Sequence, residues 1–316
     1  MQSHPLGRSD LSIAPLVFGG NVFGWTADER TSHDLLDRFV DRGFNAVDTA
    51  DVYSRWVEGH EGGESETVIG SWLKANKGKR ERIVLFTKVG SDMGQGRKGL
   101  SGQRIAEAVD ASLTRLKTDF IDLYFSHFPD PSVAHDETLR AYEKLIKAGK
   151  VRALGASNYD AELLSGALSA SAEQDLPRYE VIQPEYNLHN RKDLEGPLLD
   201  LARKEEIGVV TYFSLASGFL SGKYRSKEDL QGASRAGMVE KYLDERGMRI
   251  LDALDEVSKA HGAEPAEVAI AWIIARDGVT APIASATSRD QLESLFKAAE
   301  LQLTPEDMTR LDEASA

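Results

Sequence analysis

Short apolar runs alternate with longer segments of helical spacing along the chain, and this alternation restricts the fold more than any other feature. Between the runs, apolar residues recur three and four positions apart, as in Leu35, Leu36, Phe39 and Val40. The pattern is typical of strands joined by amphipathic helices, which form parallel sheets. The predicted strands are residues 15–19, 45–48, 83–89, 121–127, 153–157, 181–184, 209–212 and 281–284.

Eight strands, each with a helical pattern beside it, favour the α/β class and the (β/α)8 or TIM barrel. A doubly wound sheet would usually have fewer strands and a glycine-rich first turn. No G-x-G-x-x-G follows an early strand of this chain. We therefore predict a barrel. The chain contains no linker or low-complexity tract, so residues 1–316 are expected to form a single domain.

Additional elements are predicted around the barrel. Residues 6–11 resemble a short hairpin with Gly and Asp in the turn, which would plug the barrel bottom. Extra helices are expected at about residues 239–260 and at 265–275, before the eighth strand. A final helix follows Thr304, whose side chain suits an N-cap, and Pro305, which suits the first helical turn.

Composition excludes several classes of function. The net charge of -13 disfavours nucleic acid and anionic membranes as partners, because both are bound mainly through clustered Lys and Arg. The chain has no cysteine, which excludes disulfides, thiolate metal sites and a cysteine nucleophile. We find neither a signal-peptide pattern nor a run of about 18 apolar residues, so a cytoplasmic location is expected. The sequence does not predict the oligomeric state.

Four polar residues stand at or just beyond the ends of predicted strands: Asp48, Tyr53, Lys88 and His127. In a β/α barrel, the loops at the carboxyl ends of the strands build the functional site. Taken singly, each residue is more often structural or solvated than catalytic. Together they predict one catalytic group at the barrel mouth.

Proton delivery to a carbonyl oxygen, as hydride reaches its carbon, is chemistry that needs these residue types. A phenol with an ordinary pKa of about 10 is a slow acid at neutral pH. A neighbouring ammonium would lower that pKa, a carboxylate would hold the ammonium, and an imidazole would orient the carbonyl. Tyr, Lys, Asp and His could fill those roles.

Further motifs occur in order along essentially the whole chain: VDTADVY at 47–53, GESE at 63–66 with Ile69 and Gly70, Thr87-Lys88, IDLY at 121–124 through HFPD at 127–130, GASN at 155–158, QPEYN at 183–187 and GFLSGK at 218–223. Their order resembles that of the aldo-keto reductase superfamily. The resemblance implies a TIM barrel that transfers hydride between a nicotinamide cofactor and an aldehyde, ketone or sugar. It also implies that Tyr53 is the general acid in reduction, Lys88 tunes it, Asp48 supports Lys88 and His127 orients the substrate.

The same resemblance implies a cofactor site. Ser157, Asn158 and Gln183 would hold the nicotinamide amide, and Tyr212 would stack on its ring. The residues expected along the pyrophosphate are Phe213, Ser214, Leu215, Ala216, Ser217, Gly218 and Lys223. Gly20, Asn21 and Asp48 complete the predicted set near the cofactor. Without the resemblance, a turn at Ser157-Asn158 and a core aromatic at Tyr212 would be the simpler interpretations.

The predicted adenosine end, residues 285–295, departs from the common family pattern. Strongly NADP-selective members place Lys or Arg early in this stretch, where Ser285 and Thr287 stand here. NADP(H) is favoured by the family, held through hydroxyls, Gln291 and Arg289, and NAD(H) stays open. We predict weaker discrimination between the two than in the strongly basic members.

The substrate pocket is predicted from aromatic residues next to the proposed acid: Trp25, Trp56 and Phe128. They would make walls suited to a small carbonyl compound or sugar; ordinary loop packing is the alternative. The insert at residues 55–63 contains Glu58, His60 and Glu61, but their spacing fits no usual ligand motif, and no metal is expected.

Two other functions stay open. A lysine at a strand end also suits a Schiff-base aldolase that would use Lys88. The resemblance also extends to potassium-channel β subunits, which suggests a cofactor-binding regulatory subunit with slow turnover. The chain shows no long N-terminal arm, which favours a free-standing enzyme.

Overall fold

A closed barrel of eight parallel strands forms the centre of this computed structural model, which describes residues 3–232 and 236–316. Two short strands, β1 and β2, pair as an antiparallel hairpin before the barrel. The strands are β1 His4–Pro5, β2 Ser12–Ile13, β3 Val17–Gly19, β4 Ala46–Asp48, β5 Val84–Val89, β6 Ile121–Ser126, β7 Val151–Ser157, β8 Tyr179–Gln183, β9 Gly208–Thr211 and β10 Ala281–Ala284. Neighbours follow chain order from β3 to β10, and β10 closes on β3, so the predicted TIM barrel is confirmed.

Helices surround the barrel, and many begin where a side chain caps the first turn. Asp28, Ser101, Asp160 and Ser288 each accept a hydrogen bond from a backbone N–H three residues ahead. The helices are α1 Glu29–Asp41, α2 Glu64–Ala75, α3 Gly102–Leu116, α4 His135–Lys147, α5 Ala161–Gln174, α6 Pro197–Lys204, α7 Ala236–Val239, α8 Glu245–His261, α9 Pro265–Ile274, α10 Arg289–Glu300 and α11 Pro305–Ala314. Thr304 forms a capping box with Asp307 at the start of α11, at the predicted position.

The extra helix predicted at about 239–260 begins later than expected. Asp244 caps α8 by accepting from the backbone N–H of Gly247, so the helix starts at Glu245. Residues Glu240–Tyr242 form a separate 3-10 turn. The apolar spacing continues across this break, and spacing alone does not locate a cap.

The predicted barrel strands are all present, with ends that differ by no more than two residues. The starts of β7 and β8 were placed too late because Arg152 and Glu180 interrupt their apolar runs. Arg152 pairs with Asp10 of the hairpin turn at 2.9 Å, and Glu180 accepts a hydrogen bond from the backbone N–H of Arg8 at 3.0 Å. These partners are distant in sequence, so local hydropathy does not reveal them.

The hairpin closes one end of the barrel, as predicted. Leu6, Leu11 and Ile13 are buried and pack with the side chains that fill the barrel interior, including Phe86 and Val181. A second core lies between the strands and the helices. Because the hairpin fills the amino-terminal end, the carboxyl ends of the strands are left to build a site. In the described ranges, no helix combines the length and apolar character needed to cross a membrane.

Candidate active site

Asp48 and Lys88 reach the open end of the barrel because their strands end there. β4 ends at Asp48, and β5 continues one residue beyond Lys88. Both side chains are buried, and Lys88 is 0% exposed. A buried ammonium is unfavourable unless it is paired and hydrogen-bonded, so the partners of Lys88 decide its state.

Three oxygen atoms surround the Lys88 ammonium. Nζ donates to Asp48 Oδ2 at 2.7 Å, to the Thr49 carbonyl at 2.8 Å and to the Tyr53 hydroxyl at 3.1 Å. These contacts use the three protons of the ammonium. Burial opposes the charged form, but Asp48 and Tyr53 outweigh burial and raise the pKa of Lys88. Lys88 is therefore an ammonium at neutral pH, directed at the phenol oxygen.

Tyr53 lies on the turn that follows β4, at residues 49–54. Its carbonyl accepts from the backbone N–H of Gly63 at 2.9 Å, which ties the turn to the start of α2. Burial raises the pKa of the Tyr53 phenol, and the opposing effect of Lys88 is smaller. Lys88 does lower this pKa, as predicted, but burial has the larger effect and the net direction is upward. At neutral pH the phenol keeps its proton.

Asp48 is held on both carboxylate oxygens. Its second oxygen accepts from Gln183 Nε2 at 3.0 Å. Burial raises the pKa of Asp48, while Lys88 and Gln183 act in the opposite direction. Gln183 is one of the residues predicted to hold the nicotinamide amide, and the structure joins it directly to Asp48.

His127 is buried beside Tyr53, with 6.0 Å between the ring centroids. Its Nδ1 lies 2.9 Å from Ser91 Oγ, and the ring of Phe128 stacks on it with centroids 5.1 Å apart. Burial, followed by the charge of Lys88, lowers the pKa of His127 well below 6.5. The imidazole is therefore neutral at neutral pH and can donate one hydrogen bond without adding positive charge.

The residues predicted to hold the nicotinamide lie next to this group. Tyr212 donates to Asn158 Oδ1 at 2.6 Å, and Asn158 Nδ2 donates to the His127 carbonyl at 2.8 Å. Ser157 Oγ donates to the Gln183 carbonyl at 2.8 Å. One hydrogen-bonded network thus joins residues of β7 and β8, and Tyr212 just after β9, to Asp48 and His127.

The segment after β9 turns sharply over the same end of the barrel. Ser214 Oγ donates to the Ile283 carbonyl at 2.8 Å, and the backbone N–H of Gly218 donates to the Leu215 carbonyl at 2.8 Å. Lys223 Nζ lies 4.8 Å from the Tyr224 ring centroid. Four residues adopt a left-handed backbone: Phe213, Ala216, Ser217 and Gly218. Concave backbone of this kind, with a lysine near it, fits an anionic group such as a pyrophosphate.

At the predicted adenosine end, Ser285 Oγ donates to Asn21 Oδ1 at 2.6 Å. A Cβ atom on Gly19 would lie 2.5 Å from Ser285 Oγ, so a larger residue here would force the Ser285 side chain to move. The Thr287 hydroxyl and backbone N–H both donate to Gln291 Oε1. These three predicted residues, Ser285, Thr287 and Gln291, therefore lie together with Asn21 at one edge of the site.

The Arg289 side chain is directed at α1. Its guanidinium binds Asp34 of α1 through two hydrogen bonds of 2.7 and 2.8 Å, which is bidentate geometry. The sequence suggested Arg289 as a phosphate ligand and did not identify this acidic partner.

The predicted substrate residues form an aromatic rim near Tyr53. Trp56 and Phe128 are 50% and 49% exposed, which is unusual for large aromatic side chains. Trp56 meets both Tyr53 and Trp25 edge to face, with ring centroids 5.6 Å apart in each case. Trp56 and Phe128 are left half exposed, so both rings can contact a ligand.

The insert at residues 55–63 is organised by Glu64. The Glu64 carboxylate accepts from the backbone N–H groups of Ser54, Glu61 and Gly62. His60 Nδ1 lies 3.4 Å from Ser54 Oγ. Among the residues that the structure describes, no group of three or more acidic or histidine side chains could hold a metal ion.

Three contacts at the site were not anticipated from the sequence: the Thr49 carbonyl on Lys88, the Ser91 hydroxyl on His127, and the pairing of Asp51 with Arg104. Ser91 lies two residues beyond β5, so its place after a strand end was an available signal. Asp51 lies inside the VDTADVY motif, but only the tertiary structure brings α3 against it.

Comparison with known proteins agrees with this geometry. The family model described as "Aldo/keto reductase family" matches residues 15–316. "Uncharacterized oxidoreductase YrpG" of Bacillus subtilis (strain 168) is 34% identical, over 98% of this chain and 94% of the relative. "Aldo-keto reductase YhdN" of the same organism is 31% identical, over 95% and 87%. "Probable voltage-gated potassium channel subunit beta" of Oryza sativa subsp. japonica is 32% identical, over 99% and 96%.

Proposed function

The chain belongs to the aldo/keto reductase family and is an oxidoreductase, and we propose that it reduces an aldehyde, ketone or sugar carbonyl to the alcohol, or catalyses the reverse reaction, with NADPH or NADH. Tyr53 is the general acid in reduction and the general base in oxidation. The observation that carries this proposal is the contact of the Lys88 ammonium with both Asp48 and the Tyr53 hydroxyl.

Proton transfer follows from that contact. The Tyr53 phenol holds its proton at neutral pH, since burial raises its pKa. When the phenol gives the proton to a carbonyl oxygen, the oxygen left behind becomes negative, and the Lys88 ammonium 3.1 Å away stabilises it. Asp48 holds the ammonium in place and balances its charge. Lys88 thus lowers the cost of proton release without changing its own protonation.

His127 orients the carbonyl in this proposal. We assign the Ser91 hydroxyl as the donor to His127 Nδ1, which leaves the ring proton on Nε2. A neutral Nε2–H can then donate to the carbonyl oxygen beside Tyr53. This assignment makes Ser91 a positioning residue for His127.

The donor set beside the catalytic group fits a nicotinamide dinucleotide, which supplies or accepts hydride when bound. Ser157, Asn158 and Gln183 would bind its amide, and Tyr212 would stack on the ring. The turn at residues 213–218 and Lys223 would bind the pyrophosphate. Gly20, Asn21, Ser285, Thr287 and Gln291 would line the adenosine side.

The aromatic rim indicates the substrate class. Trp25, Trp56 and Phe128 offer flat apolar surface next to Tyr53, which suits a small carbonyl compound or a sugar packed by its apolar face. The bound carbonyl would lie between the rim and the nicotinamide site, within reach of Tyr53 and His127.

A spectrophotometric screen tests the proposal. Aldehydes, ketones and sugar substrates are offered in both directions with each nicotinamide cofactor. We expect turnover that Tyr53→Phe reduces by about 10²- to 10⁴-fold, with cofactor affinity nearly unchanged. Wild-type turnover that survives this substitution would show that another group is the acid.

A regulatory role is the second candidate, because several relatives over nearly the whole chain are named as potassium channel β subunits. In that role the protein would retain cofactor tightly and turn over slowly with every carbonyl tested. The aldolase alternative is disfavoured, because a Schiff base needs a neutral amine and the pKa of Lys88 is raised. Borohydride trapping of a substrate adduct on Lys88 would contradict that conclusion.

A further inference from the structure

A second buried ion pair lies directly behind the turn that carries Tyr53. Arg104 of α3 donates from Nη2 to Asp51 Oδ2 at 2.7 Å. The side chains are 11% and 2% exposed, respectively. Burying two charges costs free energy that their attraction often fails to offset. The proton transfer proposed above does not use this pair, so its place in the fold needs a separate explanation.

Asp51 connects three parts of the active-site framework. Its backbone N–H donates to the Lys88 carbonyl on β5 at 3.2 Å, and its carboxylate binds α3 through Arg104. It stands two residues before Tyr53 in the chain. The backbone hydrogen bond therefore ties the Tyr53 turn to the strand that carries Lys88, and the Asp51–Arg104 contact ties the same turn to α3.

The contact is a single hydrogen bond rather than a bidentate pair. Asp51 Oδ1 and Arg104 Nε are buried, and neither has a hydrogen-bond partner in the part of the chain that the structure describes. This geometry needs only one oxygen atom at position 51 that accepts one N–H of Arg104. An asparagine at position 51 could supply that oxygen without the charge.

Asp51 also lies in a crowded electrostatic environment. Burial, followed by the nearby Glu66 carboxylate, raises the pKa of Asp51 to about 7, against the opposing charges of Arg104 and Arg115. Tyr124 of β6 and Tyr142 of α4 lie close enough for the Asp51 charge to raise the pKa of each phenol. The carboxyl thus changes charge near neutral pH while it remains able to accept a hydrogen bond.

We propose that Asp51 is a positioning residue for Tyr53: through its hydrogen bond with Arg104, it fixes the turn so that the Tyr53 hydroxyl meets Lys88 Nζ. This inference rests on the proposed function, in which Tyr53 is the acid. The pair lies behind the turn, on the side of α3, whereas substrate and cofactor approach from the barrel mouth. Loss of the pair should therefore lower kcat and leave KM nearly unchanged.

The test compares three variants by steady-state kinetics and by calorimetric titration of the dinucleotide. A misplacement of the acid by about 1 Å can cost about 100-fold in rate, so Arg104→Met and Asp51→Ala are expected to lower kcat at least about tenfold. Their KM and dinucleotide Kd should stay within about twofold of the wild type, because those contacts lie elsewhere. Asp51→Asn retains the acceptor oxygen and should keep kcat within about threefold of wild type.

The pH profile gives a readout that a general loss of stability would not change. As pH rises through about 7, the wild-type Asp51 becomes a carboxylate and holds Arg104 more strongly, so kcat should rise. Asp51→Asn should lack this rise. If kcat rises with pH in both the wild type and Asp51→Asn, another group causes the rise and the proposal fails.

Arg80→Met is the matched control. Arg80 pairs with Asp122 at 2.7 Å, and their side chains are 12% and 1% exposed, but Asp122 lies near the start of β6, at the plugged end of the barrel. Arg80→Met should lower Tm, although Asp122 keeps its second partner Arg152 at 2.6 Å, and should leave kcat unchanged. The proposal is overturned by wild-type kcat in Arg104→Met, by an equal kcat loss in Arg80→Met, or by an Asp51→Asn variant as impaired as Asp51→Ala.

A wild type that turns over no carbonyl with either cofactor, yet binds dinucleotide, would instead contradict the proposed reductase function.

Discussion

The predicted catalytic end and the predicted adenosine end of the site each contain an ion pair, but the two pairs lie in opposite environments. The Lys88 and Asp48 side chains are 0% and 3% exposed, whereas those of Arg289 and Asp34 are 62% and 33% exposed. Charges in a buried pair interact strongly and are costly to separate, while water and salt screen an exposed pair. We therefore expect the buried pair to affect activity and stability strongly, and the exposed pair to affect only cofactor selectivity.

Removing the buried ammonium should have the largest effect. Lys88→Met leaves the Asp48 carboxylate buried without its charged partner, which should lower the free energy of unfolding by about 3 to 5 kcal/mol. Carbonyl reduction should fall by at least about 100-fold, because Tyr53 loses the group that stabilises its anion. Denaturant unfolding and steady-state kinetics measure the two effects.

Lys79→Met is the control for that variant. Lys79 pairs with Asp37 at 2.5 Å, but the Asp37 side chain is 41% exposed. Its loss should cost no more than about 1 kcal/mol. Equal destabilisation by both substitutions would mean that burial does not distinguish the two ion pairs.

The pH dependence of reduction tests the electrostatics of the catalytic end. Tyr53 must hold its proton to act as an acid, and burial raises its pKa above 10.0, so the base form appears only in strongly alkaline solution. His127 stays neutral until well below pH 6.5, because burial and Lys88 lower its pKa. Between pH 6.5 and pH 10.0, we therefore expect that titration of neither Tyr53 nor His127 limits kcat. A loss of kcat centred near pH 8 would contradict the raised pKa of Tyr53.

Ser91 offers a smaller test of the same end. Ser91→Ala removes the hydroxyl that faces His127 Nδ1, and the loss of one hydrogen bond should lower kcat about fivefold to tenfold. Ser126→Ala is the control, because its buried hydroxyl contacts Tyr142 and Tyr179 rather than the imidazole. That variant should lower Tm and keep the wild-type kcat. A Ser91→Ala enzyme with full activity would rule out the positioning role.

The exposed pair should give the smallest effect. We predict that the wild-type preference for NADPH over NADH in kcat/KM stays below about 100-fold, since one accessible guanidinium contributes about 1 kcal/mol or less. Asp34→Ala would release Arg289 and raise the preference for NADPH a few-fold. It should likewise raise the affinity for adenosine 2′,5′-bisphosphate relative to AMP. The double variant with Arg289→Ala should cancel the gain. A gain that persists in the double variant would exclude Arg289 as its source.

Much of the fold followed from local pattern. The spacing of apolar residues distinguished strands from helices. Thr304 and Pro305 marked the start of α11. Pattern failed where a charged residue belonged to a strand, as at Arg152 and Glu180, because distant hairpin residues supply their partners. It also placed the start of α8 too early, since only Asp244 marks the cap.

In the candidate site too, the sequence identified some residues and missed the contacts between them. Asp48, Tyr53, Lys88 and His127 were predicted to lie together because each stands at or near the end of a strand, and parallel strands bring such ends to one face. The partners that set their behaviour were not identifiable. Ser91 reaches His127 from a loop that follows another strand, and Arg104 reaches Asp51 from the outer helix layer.

By itself, the sequence determined the barrel, its plug and the residue types gathered at its mouth, because these depend on periodicity and strand order. Only the tertiary structure decided how those residues behave. A pKa depends on burial and on charges brought close by folding, so the direction for Tyr53 was opposite to the one inferred from Lys88 alone. Arg289 likewise meets Asp34 across 255 positions of the chain, a contact that no local pattern encodes.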